Sequence, residues 1–290
     1  MDTRSLGLLA AGCLLAGCGR SKDAGIDKPL TADSSFMPAA TAQVDTDLPA
    51  VLPVATVDPA TAKTAWVEGV AAYQSGDFAE AAKKLDVAVS GRPGDAYAAY
   101  LLGLSRWKTG DLEGAERAIE GSLAIDATRP KSWINLARVR MERSEPRGAL
   151  EAATKALEIE PGSAAALHQE GRALLALHRA DEAEASLLAS RGIDPDDGHV
   201  ANTLGLLLIQ RGRPAEAIPH LEAAKATLPH VSYVRNNLGV AYEKTGRTDE
   251  ARIEYQAALD AGDTKRALAS LNRLGPAPVA TASTTVAASE

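Results

Sequence analysis

Apolar residues fall at helical spacing over most of the chain. Ala201, Leu204, Gly205 and Leu208 stand at i, i+3, i+4 and i+7, which predicts a helix with a single apolar stripe. Ala217, Leu221, Ala224 and Leu228 predict a second helix directly after it. This pair recurs along the sequence. Ala81, Ala115, Ala149, Ala183, Ala217 and Ala251 are spaced by 34 residues without insertion or deletion. Gly69, Gly103, Ala137, Gly171, Gly205 and Gly239 keep the same step. A third series, Gly76, Gly110, Ser144, His178, Gly212 and Gly246, keeps it with one Ser and one His among the glycines. Two helices approach closely only where a side chain is a methyl group or a hydrogen. The pattern therefore predicts helix–turn–helix units, each packed on the next, because no unit of this size can bury its stripe alone. An array of this kind needs protected ends. Ala267, Leu268, Leu271 and Leu274 share one face of a last short helix, and Gly275-Pro276 ends it.

The period and the residues that carry it resemble tetratricopeptide repeats. "GDFAEAAKKLDVAVSGRP" and "GRTDEARIEYQAALDAGD" resemble the second-helix pattern, and Pro93, Pro161, Pro195 and Pro229 close four repeats. The resemblance implies an all-α, right-handed superhelical solenoid of six repeats at 62–95, 96–129, 130–163, 164–197, 198–231 and 232–265, with a cap at 266–274. Trp66 sits one place later than the family pattern, and Arg106 and Arg140 stand where the family usually has an aromatic residue.

The amino terminus differs in kind. Arg4 precedes an apolar run from Leu6 to Ala16, too short to span a bilayer but suited to the core of a secretory signal at 1–17. Leu15-Ala16-Gly17-Cys18 resembles the bacterial lipobox, in which Cys18 carries the lipid and becomes the first mature residue. Gly19 after it implies, by the same resemblance, an outer-membrane anchor facing the periplasm of a bacterial envelope. Acyl chains contribute about 0.8 kcal/mol per buried methylene, so several chains on one cysteine anchor stably. The segment 18–61 is rich in Pro, Ala and Asp with a single aromatic, Phe36, and is expected to be a disordered linker. A coil of such length spans roughly 35–40 Å. Residues 275–290 read as a disordered tail.

Composition narrows the function further. Both cysteines precede the repeats, so the folded region has neither disulfide nor thiol chemistry. A net charge of −7 gives no basic footprint for nucleic acid. No phosphate-binding glycine loop, metal-ligand spacing or nucleophile motif occurs, so neither enzyme activity nor a metal or cofactor is expected. His168 and His199 read as ordinary, partly exposed histidines, and the acidic run from Asp194 as a turn.

Function is then expected on the concave face. The family resemblance assigns repeat positions 2, 5, 9 and 12 to that face. In the first two repeats these positions carry Trp66, Tyr73, Tyr97, Tyr100 and Trp107, five of the chain's 11 aromatic residues. Tyr73 and Trp107 lie at the edge of the stripe and can equally fill core. Later repeats add Arg138, Arg172, Asn202 and Asn236, and position 6 carries Asn135, Gln169 and Asn237, amides able to bond the main chain of an extended peptide. Solvated polar residues beside the groove are the other reading of those amides. A repeat array behind a lipobox resembles the pilotins of type IV pili and the repeat lipoproteins of tight-adherence pili. The expected role is a membrane-anchored scaffold that binds another envelope protein or an extended peptide, in pilus or secretin assembly. The alternatives are an adaptor for envelope proteases or peptidoglycan hydrolases, and a self-associating homo-oligomer.

Overall fold

The computed structural model describes residues 57–275. The signal at 1–17, the lipobox Cys18, the linker as far as residue 56 and the tail beyond Gly275 lie outside the described residues. Among the described residues there are 13 helices and no strands. They are α1 (Pro59–Ser75), α2 (Phe78–Gly91), α3 (Ala96–Thr109), α4 (Leu112–Ile125), α5 (Pro130–Glu142), α6 (Pro146–Ile159), α7 (Ala164–Ala176), α8 (Ala180–Ile193), α9 (Gly198–Gln210), α10 (Pro214–Thr227), α11 (Ser232–Lys244), α12 (Thr248–Asp260) and α13 (Arg266–Leu274). None of them is long and apolar enough to cross a membrane. The helices form two compact units, divided between Ser186 and Leu187 within α8. Each unit is an all-α stack of antiparallel helix pairs of the repeat-solenoid class.

Local chemistry sets the helix ends. Asp58, Asp77, Asp95, Asp111 and Asp197 accept backbone N–H bonds at N-termini, and proline occupies the first turn of α1, α5, α6 and α10. Asp58 with Pro59 starts α1 before Ala62, the first repeat position. The third series of recurring residues marks the turn within each pair. Gly76, Gly110, Gly212 and Gly246 have positive φ, and so do Ser144 at 64° and His178 at 60°. In each turn the next N–H reaches back to the first helix, as Asp111 N to Arg106 O at 2.9 Å and Arg179 N to Leu174 O at 2.9 Å. This left-handed closure costs a side-chain-bearing residue about 1–2 kcal/mol, which explains why four of the six positions are glycine.

Within a pair the helices nearly touch. A Cβ at Gly103 would lie 2.5 Å from Ile119 Cγ1, and one at Gly239 would lie 2.6 Å from Tyr255 Cε1. The alanine series is sealed, with Ala81, Ala115 and Ala149 in the first unit and Ala217 and Ala251 in the second all at 0% exposure. In the first unit the core runs through Leu85, Leu101, Ile119 and Leu136. In the second it is built from Leu204, Leu221, Leu238 and Tyr255.

The two arginines in aromatic positions keep the register by another route. Arg106 pairs with Asp86 at 2.6 Å and donates to Gly114 O; Arg140 pairs with Glu116 at 2.8 Å and Glu120 at 2.7 Å and donates to Gly148 O. A Cβ at Gly114 would meet Arg106 Cδ at 2.9 Å, and one at Gly148 would meet Arg140 Cδ at 3.0 Å. Arginine on the first helix and glycine on the second therefore replace the aromatic contact together. Arg143 adds a second guanidinium to the nearly buried Glu116. At the end of the second unit, Arg273 on α13 clasps Glu243 through two bonds of 2.8 and 2.7 Å, and the Tyr255 hydroxyl donates to Glu243 at 2.6 Å.

The packing generates tests at a turn, at a seam and at the cap. His178→Gly relieves the left-handed strain at a small cost in unfolded-state entropy and raises stability by about 0.5–1 kcal/mol, whereas Gly103→Leu forces α3 from α4 and lowers it by about 1–3 kcal/mol, both read by urea unfolding. For the cap, the bond from Arg273 holds the Glu243 carboxyl below its ordinary value of 4.5, burial opposes this, and Tyr255 adds to it. A depressed carboxyl stabilises fully above 4.5 and loses that contribution as pH falls through the lower folded value. Thermal unfolding between neutral pH and pH 3–4 (approximate limits) is therefore expected to be less acid-sensitive in Glu243→Gln, which starts less stable by about 1 kcal/mol.

Candidate partner-binding face

In the first unit the first helices of successive repeats contact each other, α1 with α3, α3 with α5 and α5 with α7. The second helices α2, α4 and α6 have no comparable contact with one another. The same holds in the second unit, where α9 meets α11. Crowding on one side and spreading on the other curve each unit, and the first helices line the inside of the curve.

The aromatic residues predicted for the first unit lie on α1 and α3, at graded depth. Trp66 is half-buried, and its indole Nε1 is buried with no hydrogen-bond partner. Tyr73 is half-buried and meets Phe78 edge-on at 5.4 Å. Tyr97 and Tyr100 stack at 6.4 Å, and the Arg129 guanidinium lies 5.3 Å from the Tyr97 ring and 5.8 Å from the Tyr100 ring. Trp107 is half-buried, with the Lys108 ammonium 5.3 Å over its ring. Tyr73 and Trp107, open between core and groove on the sequence, pack against the core cluster of α2, α3 and α4 and stay partly exposed.

Tyr100 differs from the expectation of an open groove residue, since it is only 6% exposed. Tyr97 and Arg129 cover its ring, and its hydroxyl accepts a 2.7 Å bond from Asn135 Nδ2. It is therefore a support beneath the face, tying α3 to α5.

The position-6 amides also bond within the protein. Besides Tyr100, Asn135 engages Arg138, whose Nη1 donates to Asn135 Oδ1 at 3.2 Å. Arg172 donates to Gln169 Oε1 at 2.9 Å. In the second unit Asn237 donates to Asn202 Oδ1 at 2.9 Å, and the Tyr233 hydroxyl bonds His199 Nδ1 at 2.9 Å. Asn135 and Asn237 join neighbouring first helices and so support the curvature, whereas the Gln169 bond stays within α7. Asn236 differs: it is 3% exposed and its Oδ1 has no partner. His168, expected to be partly exposed, is buried at 7%.

Sequence reasoning missed Arg129 and Lys108. Arg129 lies in the inter-repeat turn, where no periodic pattern marks it. The following Pro130 holds it extended, at φ −95° and ψ 100°, and from there it reaches the tyrosines of the preceding helix. Lys108 follows Trp107, in the charged last turn of α3.

The sequence matches two tetratricopeptide-repeat family models, one at residues 67–130 and 202–274 and the other at 140–207, together more than half of the chain. None of the curated proteins compared with the chain matches it. Among solved structures, Pseudomonas aeruginosa pilF is 27% identical with a TM-score of 0.56, over 63% of this chain and 84% of that one. The thermophilic TPR protein TTC0263 of Thermus thermophilus is 22% identical with a TM-score of 0.53, over 62% of this chain and 96% of that one. The MamA fragment of Desulfovibrio magneticus is 16% identical with a TM-score of 0.53, over 58% and 96%. The latter two likenesses concern fold alone. With helix pairs, turns and small-residue contacts recurring at this period, the chain belongs to the tetratricopeptide-repeat family.

Proposed function

We propose that the protein is a lipid-anchored scaffold of the bacterial envelope that holds a partner protein on the concave face of its first unit. Membership of a protein-binding repeat family supports the general role. The observation that carries the specific reading is the half-exposed aromatic row of Trp66, Tyr97 and Trp107, with an indole N–H left without a partner. Large rings kept partly wet, on a face held rigid by internal amide bonds, offer apolar area at little cost in ordering. The internally bonded amides contribute by positioning that face.

Anchoring rests on Cys18, which would confine the scaffold to the periplasmic side of the outer membrane. Confinement raises the effective concentration of a partner in the same envelope and favours its assembly. The repeat array behind a lipobox, together with the likeness to Pseudomonas aeruginosa pilF, favours a role in pilus or secretin assembly.

Trp66→Ala is expected to weaken partner capture by about 1–4 kcal/mol with helical circular dichroism unchanged. Crosslinking in native envelopes followed by pull-down reads this, and capture of a protease or peptidoglycan hydrolase in place of a pilus component would reassign the pathway. Tyr100→Ala is expected to behave differently, costing about 3–5 kcal/mol of stability because the ring is buried. Cys18→Ser is expected to move the protein from the membrane to the soluble fraction, and retention in membranes would overturn the anchor.

A further inference from the structure

The charge of the concave face opposes that of the chain. The whole protein carries 38 acidic and 31 basic residues. Yet the groove positions of the first four repeats carry Lys63, Lys131, Arg138 and Arg172 and no Asp or Glu. Arg129 adds a guanidinium over Tyr97 and Tyr100, and Lys108 an ammonium over Trp107. Burial pulls the Lys108 ammonium below the ordinary lysine range, the nearby Arg138 lowers it further, and Glu142 opposes them. Two like charges thus act on one stretch of this face, with the Glu142 carboxylate near Lys108. Several outer cations of this unit are paired, as Lys84 is with Glu68 and Arg117 with Glu113. Among the described residues Lys63, Lys108 and Lys131 form no ion pair.

We infer that the first unit selects an acidic, extended segment of its partner, with carboxylates beside Lys108, Arg129 and Arg138 and apolar side chains against Tyr97 and Trp107. This rests on the concave-face reading above and adds the chemistry of the occupant. An incoming carboxylate relieves the repulsion between Lys108 and Arg138, and the half-buried setting strengthens the attraction over that at an open surface. Tyr97 and Trp107 stay partly exposed beside these cations, so acidic and apolar residues close together in sequence fit the site best. Unbroken acidity is not required.

The test pans a displayed random-peptide library on the full chain in detergent, then measures a labelled glutamate-rich peptide containing phenylalanine by fluorescence anisotropy. The expected result is enrichment of Asp and Glu beside aromatic residues, with affinity that falls as salt rises. Lys108→Glu combined with Arg138→Glu is expected to weaken the labelled peptide by about tenfold or more. Lys108→Glu alone, at a side chain with no hydrogen bond to lose, is expected to give a partial loss and guards against misfolding of the double variant. Enrichment without acidic bias would overturn this inference and leave the concave-face reading standing, whereas no enrichment at all would overturn both. Tighter binding of a single-stranded oligonucleotide than of the acidic peptide, or a dimer in sedimentation that Lys108→Glu dissociates, would also overturn it by naming another occupant.

Discussion

The structure depends on one steric constraint, that paired helices lie almost in backbone contact at Gly69, Gly103, Gly205 and Gly239. A hydrogen at Gly103 or Gly239 is all the space permits. The alanines opposite, such as Ala115 and Ala251, are wholly buried. Close approach brings the second helix near enough for Leu85, Ile119, Leu221 or Tyr255 to cover the glycine, and these residues fill the core. It also fixes the turn, because only a left-handed residue returns the chain over so short a gap. Ser144 and His178 hold that conformation at positive φ, so at those two turns packing outweighs local preference.

From the close pair follows the curvature, and from the curvature the face. Within each unit first helices touch their neighbours and second helices do not, so polar side chains on the inner side are forced together. Asn135 meets Tyr100, and Asn237 meets Asn202, at bond lengths of 2.7 and 2.9 Å. A buried amide left without a partner is costly, so these pairs resist flattening of the curve. The inner surface is accordingly stiff, and rigid aromatic area lowers the entropy lost when a partner docks.

How far the sequence discloses this depends on the range of each interaction. Contacts within a repeat are legible because they recur at one period: the Gly–Ala seams, the left-handed turns and the short cap all show as spacing. Contacts between repeats are less so. The burial of Tyr100 depends on Arg129 and Asn135, roughly one repeat further on, and nothing in its own helix announces them. Arg106 and Arg140 look like faults in the pattern until Gly114 and Gly148 are seen to let their side chains pass and to accept their hydrogen bonds. Depth is the quantity that periodicity conveys worst. It identifies the inner face but not whether a ring lies on it or beneath it, and so Tyr97 and Tyr100, three residues apart, differ in role.

Net charge is misleading for the same reason. A value of −7 describes the whole chain, and a partner meets one face at a time. In the first unit the second helices carry exposed carboxylates such as Asp86, Glu113 and Glu120, while the inner positions of the first helices carry cations and no acid. The outer carboxylates are met by Arg106, Arg117 and Arg140, whereas Lys108 and Lys131 on the inner side form no ion pair among the described residues, so an acidic segment is drawn to the inner face. That attraction is screened beyond about 8–10 Å at physiological salt, which confines this selection to the last steps of docking. Orientation within the groove must then come from the rings, because Trp66, Tyr97 and Trp107 occupy distinct places along α1 and α3 whereas the cations are spread more evenly. Sign chooses the face, and aromatic spacing chooses the register.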